Sequence, residues 1–64
     1  MNNVRKIRRA KDLTQQQLAD LLGITKTYIS LIEKGKIPNP SIYRCYGIAK
    51  ALNVELDDIF PSAV

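Results

Sequence analysis

Histidine is missing from this 64-residue chain, and cysteine occurs once, at Cys45. A Cys/His zinc site is therefore excluded, as is any catalytic triad or dyad built on an imidazole, and a lone thiol makes no disulfide within the chain. Long apolar runs are missing too: a charge or a polar side chain interrupts every such stretch within a few residues, so no segment spans a membrane. The N-terminus, Met1-Asn2-Asn3-Val4-Arg5-Lys6-Ile7-Arg8-Arg9, has no apolar core of a secretory signal. A cytoplasmic, reducing location is the expectation, and one free thiol is comfortable there. No window sustains an alternation of period two, so strands are not expected.

What is present is 45% apolar residues, a globular proportion. The length allows one domain and not two. So short a chain buries only roughly 60% of the surface its unfolded form exposes. Without disulfide or metal, its stability must come from regular helix packing, from an oligomer, or from both. The charge is lopsided. Residues 1–36 hold eight basic and three acidic side chains, whereas residues 37–64 hold two basic and three acidic. The first half suits an anionic partner or is a solvated basic surface; the second half is close to neutral.

Helical signals follow one another along the chain. Val4 and Ile7 have helical spacing, with Asn2 or Asn3 able to cap, which predicts helix one through about Lys11. Thr14 has the chemistry to cap helix two, Gln15 to Leu22, whose apolar face reads Leu18, Ala19, Leu21 and Leu22 and which Gly23 ends. Thr25 caps helix three, Lys26 to Lys34, with Ile29 and Ile32 inward and Gly35 beyond its end. Pro38 and Pro40 make residues 36–40 a loop. Ser41 caps helix four, with a stripe of Ile42, Cys45, Ile48, Ala49 and Leu52, and Asn53 is a left-handed stop. A short fifth helix, about Leu56 to Phe60, carries Asp57 and Asp58 where the helix dipole favours negative charge. The expected fold is all-α, a bundle of five short helices forming one domain over residues 1–64 with no ligand sensor attached.

The tightest spacing lies between helices two and three. Only Ile24 separates Gly23 from Thr25, so the helices must cross steeply, with Ala19 as the small residue at the contact and Gly23 supplying the reversal. Leu18, Ile29 and Ile32 then seal the crossing, which is helix-turn-helix geometry. The outward positions of helix three are Lys26, Thr27, Tyr28, Ser30 and Lys34, small or hydrogen-bonding and net positive.

The stretch Thr14-Gln15-Gln16-Gln17-Leu18-Ala19-Asp20-Leu21-Leu22-Gly23-Ile24-Thr25-Lys26-Thr27-Tyr28-Ile29-Ser30-Leu31-Ile32-Glu33-Lys34-Gly35 closely resembles the helix-turn-helix of the Cro/C1-type repressors, the Xre-like family of the lambda phage repressors and many small bacterial regulators. The resemblance continues through Asn39-Pro40-Ser41-Ile42 and Ile48-Ala49-Lys50-Ala51-Leu52-Asn53-Val54 to Leu56-Asp57-Asp58-Ile59-Phe60, in order and at the right spacing. It implies a DNA-binding transcriptional regulator, a repressor, whose helix three enters the major groove of a double-stranded operator with its N-terminal residues against base edges.

Carried onto this chain, the resemblance implies base contacts by Lys26, Thr27, Tyr28 and Leu31. Lysine donates to guanine O6 or N7, and a threonine methyl meets the thymine methyl. Lys26 also stands at the positive end of its helix, so an anionic partner explains it better than fold stability does. Leu31 either covers the core edge or meets a thymine methyl, and Tyr28 is either a buried ring edge or a hydroxyl aimed at phosphate or base. Backbone contacts are implied for Thr14, Gln15, Gln16, Thr25, Ser30, Lys34 and Lys36, with the N-terminus of helix two as a phosphate site and Gln15 bracing the first reading residue. Glu33 is out of place beside phosphate, and the resemblance pairs it with Arg8. Ile37 and Pro38 depart from the polar or basic residues common in that loop.

A dimer is expected because one small module touches too few base pairs for useful specificity. Two-fold symmetry would set two reading helices about 34 Å apart. The apolar, charge-poor second half offers Tyr46, Ile59, Phe60 and Val64 for that interface, Ile59 and Phe60 closing the core of the single chain as the alternative. A helical module that meets an acidic protein is the competing reading of the basic face. No catalytic residue, metal, cofactor or small-molecule ligand is expected: Asp57 and Asp58 point in different directions, and Cys45 falls on the apolar stripe as a small buried hydrophobe.

Overall fold

Short polar side chains just ahead of each apolar stripe set the helix boundaries. The computed structural model describes residues 2–37 and 40–61, and all its regular elements are helices: α1 (Val4–Ala10), α2 (Gln15–Leu22), α3 (Lys26–Glu33), α4 (Ile42–Leu52) and α5 (Leu56–Ile59). Thr14 opens α2 with a reciprocal box. Its hydroxyl accepts from the Gln17 amide (3.0 Å), and the Gln17 side-chain oxygen accepts from the Thr14 amide (2.8 Å). Thr25 caps α3 by accepting from the Tyr28 amide, and Ser41 caps α4 by accepting from the Arg44 amide, each at 3.1 Å. At α1 the side chain that does this work belongs to Asn2, whose Oδ1 accepts from the Val4 amide. Helices α1, α3 and α5 each close one residue earlier than their apolar pattern predicts, at Ala10, Glu33 and Ile59.

The turn between α2 and α3 has the expected form. Gly23 takes φ = 66°, where a side chain would be strained, the Gly23 amide bonds back to Asp20 and the Ile24 amide to Ala19 (3.0 Å). Ala19 is fully buried, which lets the two helices approach closely.

Val4, Leu18, Ala19, Ile29, Ile32, Ile48, Ala49, Leu52 and Ile59 form one core drawn from all five helices. The N-terminus ties it together. Asn2 Nδ2 donates to the Ile32 carbonyl (2.8 Å), the Asn3 amide to the Ile59 carbonyl (2.8 Å), and Asn3 Nδ2 to the Asp58 carbonyl (3.0 Å). The Asp58 and Ile59 carbonyls stand at the end of α5, where no further helical turn supplies a donor; the Ile32 carbonyl takes its bond besides the one from the Gly35 amide.

Two residues expected in the core are outside it. Leu21 is 62% exposed, because α2 turns Leu18, Ala19 and Leu22 inward and Leu21 lies well off their shared axis. Ile42 is 71% exposed: along the α4 stripe, exposure falls to 7% at Cys45 and nothing at Ile48, so the first turn of α4 projects beyond the core. Pro38 and Asn39 of the expected loop and Val64 of the expected interface lie outside the described residues.

Gly47 lies inside α4 with an ordinary helical backbone. A Cβ there would stand 3.6 Å from Leu22 Cδ2, normal van der Waals contact. Gly47→Ala is therefore expected to stabilise the fold by up to about 1 kcal/mol, read as a higher urea midpoint at unchanged slope.

Candidate nucleic-acid interface

The tight turn holds the start of α3 beside the start of α2, and α1 borders both. Between them runs one open cleft lined by Arg5, Arg8, Arg9, Asp12, Leu13, Thr14, Gln15, Gln16, Lys26, Ser30, Glu33 and Lys34. Six residues singled out in the sequence as backbone or base contacts meet here: Thr14, Gln15, Gln16, Lys26, Ser30 and Lys34. Thr27 and Leu31 are exposed on the outward side of α3 and do not line the cleft, nor do Thr25 and Lys36. Tyr28 turns to the other flank, half-buried against the core, with the Arg44 guanidinium 5.3 Å from its ring centroid.

One buried ion pair organises the cleft floor. Arg8 Nε donates to Glu33 Oε2 at 2.6 Å and a terminal nitrogen reaches Oε1 at 3.3 Å; the two side chains are 9% and 3% exposed. The other terminal nitrogen donates to the Leu13 carbonyl (2.6 Å), and Gln15 Nε2 donates to Glu33 Oε1 (3.0 Å). Helix α1, the loop before α2, the start of α2 and the end of α3 are thus joined through one ion pair. Since Glu33 neutralises Arg8, the cleft retains the charge of Arg5, Arg9, Lys26 and Lys34 against Asp12 alone.

The helix ends add to this field. Helices α1 to α4 carry no acid in the first turn, and Lys26 opens α3, so no acid of their own offsets their positive N-termini. Only α5 has acids there, Asp57 and Asp58, and Asp58 accepts from the Glu55 amide (2.9 Å).

Helix-turn-helix is the family whose model matches this chain, over residues 4–59. The chain belongs to that family, in its Cro/C1 type. It is 41% identical over 59 residues to an HTH-type transcriptional regulator of Methanocaldococcus jannaschii, covering 92% of this chain and 88% of that protein. It is 37% identical over 57 residues to an HTH-type transcriptional regulator of Archaeoglobus fulgidus, covering 89% and 79%. With control protein C.SmaI of Serratia marcescens it shares 39% over 54 residues, 84% of this chain and 63% of that one. The chain is thus a transcriptional regulator with a helix-turn-helix DNA-binding domain.

For this helix-turn-helix protein the sequence reading overlooked Arg5 and Arg9. Their signal was present, since they flank Arg8 at positions that share a helix face. The surface expected for pairing changes as well. Ile59 is fully buried and closes the core of the single chain, so it offers no surface to a partner; Phe60 is half-buried against the same core. Tyr46 is exposed, in company with Ile42 and Tyr43. Cys45 is buried, with its thiol 3.9 Å from the Pro40 carbonyl, and burial pushes its pKa up despite an opposing backbone hydrogen bond, which disfavours the reactive thiolate.

Removing one member of the buried pair strands the other charge. Arg8→Ala is expected to destabilise the fold by about 3 kcal/mol. Replacing Arg8 and Glu33 together by methionine and leucine is expected to cost less than the single change, as denaturant unfolding of the three variants will test.

Proposed function

We propose that this chain is a sequence-specific repressor that reads the major groove of double-stranded DNA with α3 and acts as a homodimer. The observation that carries the reading is the placement of Lys26 and Thr27, exposed at the start of α3 beside a cleft of uncompensated cations that also holds the capped start of α2. Bound this way, α3 lies between two phosphate walls. Lys26 and Thr27 meet base edges, and Tyr28 and Leu31 border them. Gln15, fixed by its bond to Glu33, holds the backbone together with Thr14, Gln16, Thr25, Ser30, Lys34 and Lys36. Arg5 and Arg9 extend the same contact. Repression follows from occupancy: a protein filling the groove at a promoter excludes other proteins from it.

The homodimer supplies the specificity that one module lacks, and its two-fold axis sets the half-site spacing. Ile42, Tyr43 and Tyr46 on α4 are the exposed apolar side chains that support pairing, in place of α5.

Lys26→Ala and Thr27→Ala are expected to relax base preference, each by about 1–3 kcal/mol at its contacted pair. Lys34→Ala and Lys36→Ala are expected to weaken binding to all duplexes alike and to flatten its salt dependence. Selection of bound sites from random DNA by each variant checks both; unaltered preference in the Lys26 and Thr27 variants would remove α3 as the reading helix.

Pairing is checked separately. Sedimentation at micromolar concentration is expected to give a dimer that Tyr46→Ser weakens. A monomer at every concentration, protecting a single half-site, would overturn it.

A further inference from the structure

Arg44 stands apart from the other cations in having a fixed platform. It occupies the third position of α4, where the Ser41 cap takes its amide, and its guanidinium lies 5.3 Å from the ring centroid of Tyr28, sixteen positions earlier on α3. Among the described residues no carboxylate lies within ion-pair distance of it, and its side-chain N–H groups donate to no protein acceptor. It is half-buried, so its stem packs while its head is held. In the first turn of α4, the helix dipole opposes its charge. Neither ion pairing nor capping accounts for a cation at this place. A guanidinium held over an aromatic ring by cation–π attraction keeps its N–H donors free for a planar or tetrahedral oxyanion.

The direction of Tyr28 gives Arg44 its meaning. Lys26, Ser30 and Lys34 turn toward the cleft shared with α1 and the start of α2, whereas Tyr28 turns away from it, to α4. Thr27 and Leu31 form the ridge between. The cations are therefore disposed on two flanks of α3, with Arg9, Lys26 and Lys34 on one and Arg44 on the other. A major groove about 12 Å wide has a phosphate backbone along each wall.

We propose that Arg44 contacts the phosphate backbone on the wall opposite the cleft, and that its stacking on Tyr28 positions it there. The inference rests on the DNA-reading function proposed above. The Arg44–Tyr28 stack joins α4 to α3 at that flank, as the Arg8–Glu33 pair joins α1 to α3 at the other. Tyr28 thereby acts as the support of a backbone contact.

The test measures binding to a selected duplex and to an unrelated duplex of equal length across a salt series, with melting of each variant to establish folding. Arg44→Gln is expected to lower affinity for both duplexes by about tenfold and to make the slope of log affinity against log salt shallower by about one. In a Tyr28→Ala background the same change is expected to cost about threefold or less, since the platform is gone. Arg44→Lys keeps the charge without the flat face; it is expected to preserve the salt slope and to lose the coupling to position 28. An unchanged slope in Arg44→Gln, or a slope as shallow in Arg44→Lys, would overturn the contact. Lys34→Ala, on the cleft side, separates the two levels: if it flattens the slope while Arg44→Gln does not, the DNA-reading function stands and the Arg44 contact falls. If the unaltered chain binds no duplex, both fall.

Discussion

A carboxylate sealed at the meeting point of three helices governs the arrangement of this protein. Glu33, at the end of α3, has almost no exposure, and an isolated buried charge would be very costly. It is tolerated because Arg8 brings a guanidinium from α1 and Gln15 brings an amide from α2. The guanidinium in turn binds the Leu13 carbonyl, which leaves no buried side-chain polar atom unpartnered among the described residues. Such a site has one good geometry. Apolar packing between short helices tolerates sliding, but a fork of hydrogen bonds on one carboxylate does not. The relative positions of α1, α2 and α3 follow from it, and so does the direction in which Gln15 points.

The turn and the pair act on the same two helices from opposite ends. Gly23 and Ala19 set how α2 meets α3 at the start of α3; Glu33 sets how α3 meets α1 and the start of α2 at its end. Held at both ends, α3 presents the same outward ridge, and the proposed contacts of that ridge with bases depend on its being held. Pre-organisation of this kind lowers the ordering cost of binding, which matters in a domain with so few helices. The stack of Arg44 on Tyr28 adds a third restraint from α4. Cations that no carboxylate neutralises, Arg5, Arg9, Lys26 and Lys34 along the cleft and Arg44 on the other flank, are open to a polyanion.

The balance of charge follows the same economy. Two acids serve the fold directly, Glu33 in the buried pair and Asp58 at the start of α5. None stands in the first turn of the four helices that come before, which would each gain a little stability from one. Stability is given up at those ends, and the surface there stays attractive to phosphate.

Local chemistry was legible in the sequence by itself. Thr14, Thr25 and Ser41 cap because a side-chain oxygen meets an amide only three residues on, and Gly23 and Asn53 stop helices through their own backbone preference. The five helices and the tight turn at Gly23 could be read from such signals, since each depends on neighbours in the chain, and the resemblance carried the family. The pairing of Arg8 with Glu33, 25 positions apart, was reached through family resemblance alone, because no local spacing encodes it. Tertiary structure decided the rest. Helical periodicity gives the direction of a side chain and not the extent of the core, so Leu21 and Ile42 read as buried and stand in solvent. Ile59 read as spare apolar surface, yet it is fully buried in the core beside residues of the other four helices. Arg44 lies beside Tyr28 only because the tertiary fold brings the first turn of α4 to α3, and a contact made across that distance in the chain has no signature in either segment.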